Sequence, residues 1–233
     1  LDYGYVRIGS RATTYLAHEL VRGRSLTDWT RSAEIHGGTP TDSPQQTTIA
    51  RRLNVAIAIT EALAAAHDCH FIGNLGFSEH GVLHGDLKPS NILVREASDA
   101  PVLLDFMLPD LQRLTAGRRD GWSPWEKDDG GRYHYNVPTT GAFGTPGYMP
   151  PEQEIDGIVT PRSDIYALGR TFVDLFWPGN PIGAQLASAG VPAAIETAIG
   201  SLVVRMTAAQ PEERPRSADE VLSSLRASPM AER

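Results

Sequence analysis

Four polar residues at the two ends of a predicted hairpin have side chains suited to handling a phosphate group. Asp86, Lys88 and Asn91 lie on one short loop, and Asp105 follows the next apolar run along the chain. Two apolar runs with a polar stretch between them predict paired strands joined by a turn. The runs are residues 91–94 and 101–104. Such a hairpin returns Asp105 to the side of Asn91, so we expect the four side chains to share one cleft.

Each of these residue types suits one task in phosphoryl transfer. Oxygen ligands from Asn91 and Asp105 suit Mg²⁺, a hard cation that shares its ligand shell with phosphates. The ammonium group of Lys88 can neutralise charge that builds up on a transferring phosphoryl group. Asp86 is left to accept a proton from a hydroxyl group and to orient that group as the nucleophile. The set therefore predicts phosphate transfer to a hydroxyl group.

The elements that must position these residues are mostly helical. Apolar residues at three- and four-residue spacing predict helices, and Ser25 and Ser217 suit helix N-caps, the latter with Glu220 as a capping box. Besides a short helix after Ser25, the predicted helices are 48–67, 163–176, 193–206 and 217–225, and 163–176 is apolar enough to be buried. Residues 15–21 predict a short strand. Stretches with polar residues, Gly or Pro predict loops at 34–46, 69–80 and 127–140.

Composition and charge exclude several other classes of protein. The 233-residue chain has a net charge of -7, whereas non-specific nucleic-acid binding needs clustered positive charge. Cys69 is the only cysteine, which excludes an internal disulfide and a cysteine-based zinc site and suits a cytoplasmic location. No run of about 18 apolar residues occurs, so we expect no membrane span within this segment. The chain lacks a signal-peptide pattern and an initiator methionine, so we expect the parent protein to begin upstream; it could carry a membrane anchor elsewhere.

The loop and several later motifs resemble those of protein kinases. HGDLKPSN (84–91) is similar to the catalytic loop H-R-D-L-K-x-x-N, and DFM (105–107) is similar to the metal-binding D-F-G motif. Three further motifs resemble the end of the activation segment, the buried helix that anchors the catalytic loop, and the late arginine motif; they are GTPGYMPPEQ (144–153), DIYALG (164–169) and ERP (213–215). On this order of motifs, the chain is identified as a member of the eukaryotic-type (Hanks-type) serine/threonine protein kinases, truncated at its N-terminus and similar in style to bacterial members.

The resemblance implies a role for each matching residue of the site. Asp86 resembles the catalytic base, and Lys88 resembles the lysine that contacts the transferred phosphate. Thr145 matches the threonine that helps to position both. Asn91 and Asp105 resemble the Mg²⁺ ligands of the ATP site.

The resemblance also assigns nucleotide-binding and structural positions. Backbone groups of Glu19 and Val21 are expected to bind the adenine of ATP, with His18 at the gatekeeper position. Glu152 and Arg214 are expected to form a structural ion pair. Asp164 is expected to support the catalytic loop without doing chemistry, and His84 is expected to be a structural core histidine with no catalytic role. Three irregularly spaced histidines are interpreted as solvated loop residues: His67, His70 and His80.

The sequence departs from the family pattern at three points. Gly85 replaces the arginine that normally binds the activation-segment phosphate, so we expect little dependence on that phosphorylation. Met107 replaces the glycine of D-F-G, which restricts the backbone but leaves Asp105 intact. No glycine-rich phosphate loop and no lysine precede Lys88. We therefore expect this segment alone to transfer phosphate poorly and the parent protein to be active.

The implied fold is α+β and mostly helical, a protein-kinase-like C-terminal lobe with a remnant of the small N-lobe sheet. Residues 1–24 are expected to be the remnant of N-lobe strands and hinge, 25–226 the C-lobe, and 227–233 a C-terminal tail. The implied reaction is transfer of the ATP γ-phosphate to serine or threonine of a protein substrate, with Mg²⁺ as cofactor. The oligomeric state is left open.

Two alternatives stay open at this point. The H-G-D loop containing Gly85 also resembles small-molecule kinases of the aminoglycoside or choline phosphotransferase type, although Lys88 and the motifs at 144–153 and 164–169 favour a protein kinase. A pseudokinase that acts as a binding or scaffolding module is the other alternative. Met107 and the missing N-lobe motifs favour it, whereas the intact polar residues of the cleft oppose it.

Overall fold

The structure of the chain is a computed structural model. It describes residues 2–8, 11–17, 19–33, 44–72, 78–106, 125–127, 133–135, 144–157, 159–179 and 193–228. The predicted gatekeeper His18, the substituted Met107 and most of the segment between Asp105 and Gly144 lie outside these residues.

Helices make up most of the described part of the chain after residue 25. The helices are α1 (Leu26–Ala33), α2 (Pro44–Asp68), α3 (Pro151–Asp156), α4 (Pro161–Phe176), α5 (Ala193–Met206) and α6 (Ala218–Arg226). The strands are β1 (Asp2–Ile8), β2 (Arg11–Ala17), β3 (Gly23–Ser25), β4 (His70–Ile72), β5 (Ser78–His80), β6 (Ile92–Arg95), β7 (Pro101–Leu103), β8 (Trp125–Lys127) and β9 (Tyr133–Tyr135). Short 3-10 turns are formed by Pro89–Asn91 and Pro211–Glu213.

The predicted hairpin is confirmed and forms part of a three-stranded sheet. β6 and β7 pair in antiparallel fashion, with Ile92 opposite Leu103, and β3 pairs with the other edge of β6. Ile92 and Val94 are buried, as alternate residues of a strand with one face on the core should be. Because β6 begins directly after Asn91, the sheet fixes the end of the loop 84–91.

Helix α4 is buried in the core, as its sequence predicts. Pro161 opens the helix, and the main-chain N–H of Thr160 donates to Oγ of Ser163 at 3.0 Å, which satisfies a donor at the helix start. The rings of Phe172 and Phe176 are buried and meet edge to face with their centroids 6.1 Å apart. Helices α2 and α5 both pack against α4, and α6 packs against α2.

The predicted serine caps are also present. Ser25 Oγ accepts a hydrogen bond from the Asp28 N–H at 3.1 Å, and Ser217 Oγ accepts one from the Glu220 N–H at 3.3 Å. The Glu220 carboxylate accepts from the N–H of Arg216 at 2.9 Å instead of that of Ser217, so only half of the predicted capping box forms.

Several strands differ from the sequence-based secondary structure. The strand expected at 15–21 is β2, which ends at Ala17 and pairs along its length with β1. The stretch 69–80, expected to be a loop, holds the paired strands β4 and β5, and 127–140 contains β9 and the last residue of β8. Three-residue strands are too short to show the alternation by which strands are recognised. Within the ranges given above, no helix combines the length and the apolarity needed to cross a membrane.

Candidate active site

Asp86, Lys88 and Thr145 form a closed set of hydrogen bonds. The Lys88 Nζ donates to Oδ2 of Asp86 at 2.7 Å and to Oγ1 of Thr145 at 2.6 Å, and the Thr145 hydroxyl donates to Oδ1 of Asp86 at 2.7 Å. Both Asp86 and Lys88 are about one fifth exposed, so solvent and a ligand can reach them. The arrangement holds a carboxylate and a cation side by side at the surface of the core.

Asn91 lies on the same loop, and a main-chain oxygen of that loop orients its side-chain amide. Its Nδ2 donates to the main-chain oxygen of Asp86 at 2.9 Å. The oxygen of the same side-chain amide therefore points away from that main-chain oxygen. The N–H of Leu104 donates to the carbonyl of Asn91 at 2.9 Å, which places Asp105 one residue beyond the ladder that joins the two strands. Asp105 is exposed and has a positive φ of 58°, a conformation that aspartate tolerates better than most residues.

The donor set of Asn91 and Asp105 fits Mg²⁺. An amide oxygen and a carboxylate are hard oxygen ligands, and they lie at the ends of two paired strands. Within the described stretches, no group of three or more His, Cys, Asp or Glu side chains could hold a metal on its own. A Mg²⁺ ion held by Asn91 and Asp105 would therefore complete its shell with waters and phosphate oxygens, as this ion commonly does.

The carboxylate of Asp164 anchors the start of the catalytic loop. Its Oδ2 accepts from the N–H of His84 and its Oδ1 from the N–H of Gly85, both at 2.8 Å, and Nε2 of His67 lies 2.9 Å from Oδ2. Burial acts to raise the pKa of Asp164, but the hydrogen bond and charge of His67, together with the contacts to the loop, lower it below its usual range. The predicted supporting role of Asp164 is confirmed.

His67 was wrongly predicted to be a solvated loop residue. It lies in the last turn of α2, and its side chain is only 11% exposed against Asp164. Four-residue spacing from the buried Leu63 places it on the inner face of α2, and this spacing could have identified it. The side chains of His70 and His80 are outside the described part of the structure.

His84 is a core residue, as predicted. It is fully buried, and its ring lies 4.6 Å from the ring of Phe106 between centroids. Burial lowers the pKa of His84, whereas the negative charges of Asp164, Asp86 and Asp105 act to raise it. The imidazole is therefore neutral at pH 7.

The ion pair of Glu152 and Arg214 is confirmed. Nη1 and Nη2 of Arg214 donate to the two carboxylate oxygens of Glu152 at 2.7 and 2.9 Å, in the bidentate geometry that suits a planar guanidinium. Arg214 also stacks over the ring of Tyr166, at 5.0 Å from its centroid. Because Glu152 lies on α3 and Arg214 precedes α6, the pair joins two distant parts of the chain.

A comparison with protein families decides the identity of this arrangement. The sequence model of the protein kinase domain matches residues 5–233. The chain belongs to the protein kinase family. The predicted recognition is thereby confirmed.

Similar proteins are serine/threonine kinases of bacteria and plants. The serine/threonine-protein kinase Pkn1 of Myxococcus xanthus is 29% identical over 217 residues, which are 86% of this chain and 25% of that protein. The serine/threonine-protein kinase pkn2 of the same organism is 28% identical over 231 residues, 91% of this chain and 23% of that protein. A probable LRR receptor-like serine/threonine-protein kinase of Arabidopsis thaliana is 30% identical over 130 residues, 56% of this chain and 12% of that protein. The chain thus spans a quarter or less of the length of these curated relatives.

Helix α4 also holds the segment that carries Thr145. The Tyr148 hydroxyl donates to Oδ2 of Asp174 at 2.6 Å, and Nε of Arg170 donates to the carbonyl of Gly147 at 3.1 Å. Burial and the contact with Asp174 raise the pKa of Tyr148, so this hydroxyl stays protonated. The sequence analysis missed both contacts. Because α4 also carries Asp164, one helix fixes both the catalytic loop and the segment that carries Thr145.

The two residues predicted to bind adenine lie in a segment without regular secondary structure. Glu19 is exposed and its carboxylate pairs with Arg95 of β6, whereas Val21 is buried. The N–H of Glu96 donates to the carbonyl of Arg22 at 3.3 Å, which ties this segment to the sheet. The binding of adenine by backbone groups of Glu19 and Val21 stays a prediction.

A cavity of about 350 Å³ is lined by none of the predicted site residues. Its walls come from β3, α1, α2, β6 and the turn after β6. Asp99 binds Arg51 with a shortest distance of 2.7 Å and accepts from Nε1 of Trp29 at 2.9 Å, and Arg24 faces Glu96 at 3.7 Å. In these pairs each positive charge of the cavity wall is matched by a negative one. We therefore interpret the cavity as a structural feature.

Gln153 is a residue of the site that the sequence analysis missed. Its Nε2 donates to the carbonyl of Gly85 at 2.9 Å, and the side chain is almost fully buried. Its position next to Glu152 was quoted only as part of the motif 144–153. No periodicity of the six-residue helix α3 marks it, and it becomes visible only once the fold brings residues 85 and 153 together.

Proposed function

We propose that this kinase transfers the γ-phosphate of ATP to serine or threonine hydroxyls of protein substrates in a Mg²⁺-dependent reaction. The observation that carries the proposal is the closed set of hydrogen bonds joining Asp86, Lys88 and Thr145, at 2.6 to 2.7 Å. Family membership and the serine/threonine kinases among the relatives support it. We further propose that residues 1–24 are an N-lobe remnant and hinge, 25–226 the C-lobe and 227–233 a tail.

Asp86 would act as the base and orienting group for the substrate hydroxyl. At rest both of its carboxylate oxygens accept hydrogen bonds, from Thr145 and Lys88, so the carboxylate is fixed in direction before substrate arrives. Because Oδ2 also accepts from Nδ2 of Asn91 at 3.3 Å, a substrate hydroxyl would approach Oδ1, which accepts from Thr145 and has a second lone pair. Fixed direction lowers the entropy that must be lost on reaching the reactive geometry.

Lys88 and Thr145 would stabilise and position the charged groups next to Asp86. The Lys88 ammonium carries a positive charge close to Asp86 and could turn one N–H toward the transferred phosphoryl group. The Thr145 hydroxyl accepts a hydrogen bond from Lys88 and donates one to Asp86, and so fixes the separation of these two side chains. When bound by Asn91 and Asp105, Mg²⁺ would neutralise phosphate charge.

The chain as given would turn over slowly by itself. Lys88 is its first lysine, and no glycine-rich phosphate loop precedes it. Within these 233 residues, therefore, the ATP phosphates would contact only the candidate active site described above.

A phosphate-transfer assay with competing acceptors tests the proposal. The chain, within its full-length parent protein where the coding sequence continues, is incubated with γ-labelled ATP, Mg²⁺ and three acceptors: generic proteins, an aminoglycoside and choline. We expect label on serine or threonine of protein, and none after chelation of Mg²⁺. Asp105→Asn should lower the rate by about a hundredfold or more because a charged metal ligand is lost. The exposed carboxylate Asp219 on α6 provides the control, Asp219→Asn, which should retain the rate.

Each alternative function corresponds to a distinct outcome of this assay. Gly85 makes the loop H-G-D, and this residue favours the small-molecule phosphotransferase; label on choline or the aminoglycoside but not on protein would establish it. Mg²⁺-dependent ATP binding without label on any acceptor would establish the pseudokinase. Either outcome refutes protein phosphorylation.

A further inference from the structure

We propose that Arg170 is a specificity-determining residue that favours protein substrates with an acidic side chain near the phosphorylated serine or threonine. The inference rests on the proposed function, because it names the class of substrate for the same active site. It concerns a cation that is bound to the segment carrying Thr145 and that has no acidic partner in the described part of the chain.

The side chain of Arg170 is fixed by the turn that follows Thr145. The N–H of Tyr148 donates to the Thr145 carbonyl at 3.0 Å and closes a β-turn. Pro146 and Gly147 are its central residues, and Gly147 has the positive φ, 90°, that a type II turn requires there. The Nε of Arg170 donates to the Gly147 carbonyl at 3.1 Å. The turn thus provides an acceptor that holds the guanidinium in one orientation.

The opposite edge of this guanidinium is open to a ligand. Nη1 and Nη2 of Arg170 have no hydrogen-bond or ion-pair partner among the described residues, and both reach solvent. Two neighbouring N–H groups on one planar edge match the two oxygens of a carboxylate. An acidic side chain is therefore the ligand that this edge fits.

Asp174 does not neutralise Arg170. It lies four residues further along α4, so both side chains are on one face of that helix. Its Oδ2 accepts from the Tyr148 hydroxyl at 2.6 Å in a partly buried contact, whereas the contact of Arg170 with Gly147 is exposed. A lysine or arginine of a substrate that approached Asp174 would lie next to the guanidinium and be repelled by it.

The open edge is within reach of a peptide bound at Asp86. The Thr145 hydroxyl donates to Oδ1 of Asp86 at 2.7 Å, and a β-turn keeps its first and last Cα atoms within about 7 Å of each other. The guanidinium is therefore roughly 15 Å or less from the Asp86 carboxylate, which is the length of about four residues of extended chain. A glutamate or aspartate within about four residues of the phosphoacceptor can thus reach Nη1 and Nη2 of Arg170.

Peptide phosphorylation by three variants and wild type tests the inference. Each peptide carries one serine, and each position up to four residues before or after it is Glu, Gln or Lys in turn. Arg170→Met keeps the apolar stem but removes the charge, and Arg170→Glu reverses the charge. Arg205→Glu provides the control, because it changes the net charge equally at an exposed arginine of α5 that pairs with Glu220. The kcat/KM of each peptide is measured in the full-length parent protein, as above.

Wild type should prefer Glu over Gln about three- to fivefold at one position or two neighbouring ones, the effect of one exposed ion pair, and Glu over Lys by more. The preference should weaken as salt is added. Arg170→Met should bring the Glu-to-Gln ratio close to one, and Arg170→Glu should favour Lys. Arg205→Glu should keep the wild-type ratios. A purely structural role of Arg170 would lower the rates of all peptides alike and leave these ratios unchanged.

Three results would overturn the inference while leaving the kinase activity standing. They are a Glu-to-Gln ratio near one at every position in wild type, a preference of wild type for Lys, and a preference for Glu that Arg170→Met retains. If wild type phosphorylates no peptide, the proposed function fails, and fluorescence anisotropy with the same peptides carrying alanine for serine still decides the point. Tighter binding of the Glu peptide to wild type than to Arg170→Met would support the acidic preference, and equal binding would refute it.

Discussion

Replacing Arg214 should unfold the kinase at a much lower temperature. The side chain is fully buried, and all of its N–H groups are used: two bind the Glu152 carboxylate, and three bind the carbonyls of Arg162, Ala208 and Ala209 at 2.8 to 3.0 Å. Arg214→Met removes these donors at once. It leaves the Glu152 carboxylate, 14% exposed, without its cation.

The size of the effect follows from that uncompensated charge. Removing one partner of a buried ion pair costs roughly 3–5 kcal/mol, which for a chain of this length lowers the midpoint of thermal unfolding by about 10 °C. The exposed pair of Arg205 and Glu220 provides a matched control, since Arg205 is 53% exposed. Arg205→Met should cost less than about 1 kcal/mol.

Differential scanning calorimetry of the two variants and wild type measures the difference. Adding Glu152→Leu to Arg214→Met removes the stranded charge and should recover part of the lost stability, which shows that the two residues are coupled. Equal midpoints for Arg214→Met and Arg205→Met would refute the reasoning. So would a double variant whose loss equals the sum of the single losses.

Three further results are expected. Asp164→Asn turns an amide N–H₂ toward the donors of the catalytic loop and should cost about 3 kcal/mol in urea unfolding; an unchanged midpoint would contradict the anchoring role. Tyr148→Phe leaves the Asp174 carboxylate without its hydroxyl donor and should cost about 1–2 kcal/mol by the same measurement, whereas no loss would show that the contact is unimportant. Because burial lowers the pKa of His84 below its ordinary 6.5, only the unfolded chain gains a proton there as pH falls below that value, so stability declines toward pH 5. His84→Leu should flatten this decline, and an equal slope in both proteins would disprove the assignment.

Most residues of the candidate active site could be predicted because they are close in sequence. Asp86, Lys88 and Asn91 lie on one loop, and a hairpin returns the chain from Asn91 to Asp105 with few residues between them. Local strand pairing therefore fixes most of the geometry, and strand pairing can be read from short apolar runs. Thr145 was found through resemblance alone, since nothing local links it to the loop.

The supporting contacts could not be predicted because they join distant residues. His67 and Asp164 are 97 positions apart, and Gln153 and Gly85 are 68 apart. A polar residue on a helix is as compatible with solvent as with a buried partner until the packing of helices is known. The exceptions were the Arg214 pair and the support of the catalytic loop by Asp164, since the family pattern names these residues.

The central claim is that Asp86 orients and deprotonates the substrate hydroxyl. The most direct test measures single-turnover phosphate transfer and Mg²⁺-dependent ATP binding in wild type and Asp86→Asn, with matched unfolding midpoints as the check on folding. The account predicts that transfer falls by about a hundredfold or more while ATP binding changes by no more than a few-fold, because the carboxylate acts on the hydroxyl and not on the nucleotide. A variant that transfers phosphate at the wild-type rate would contradict it.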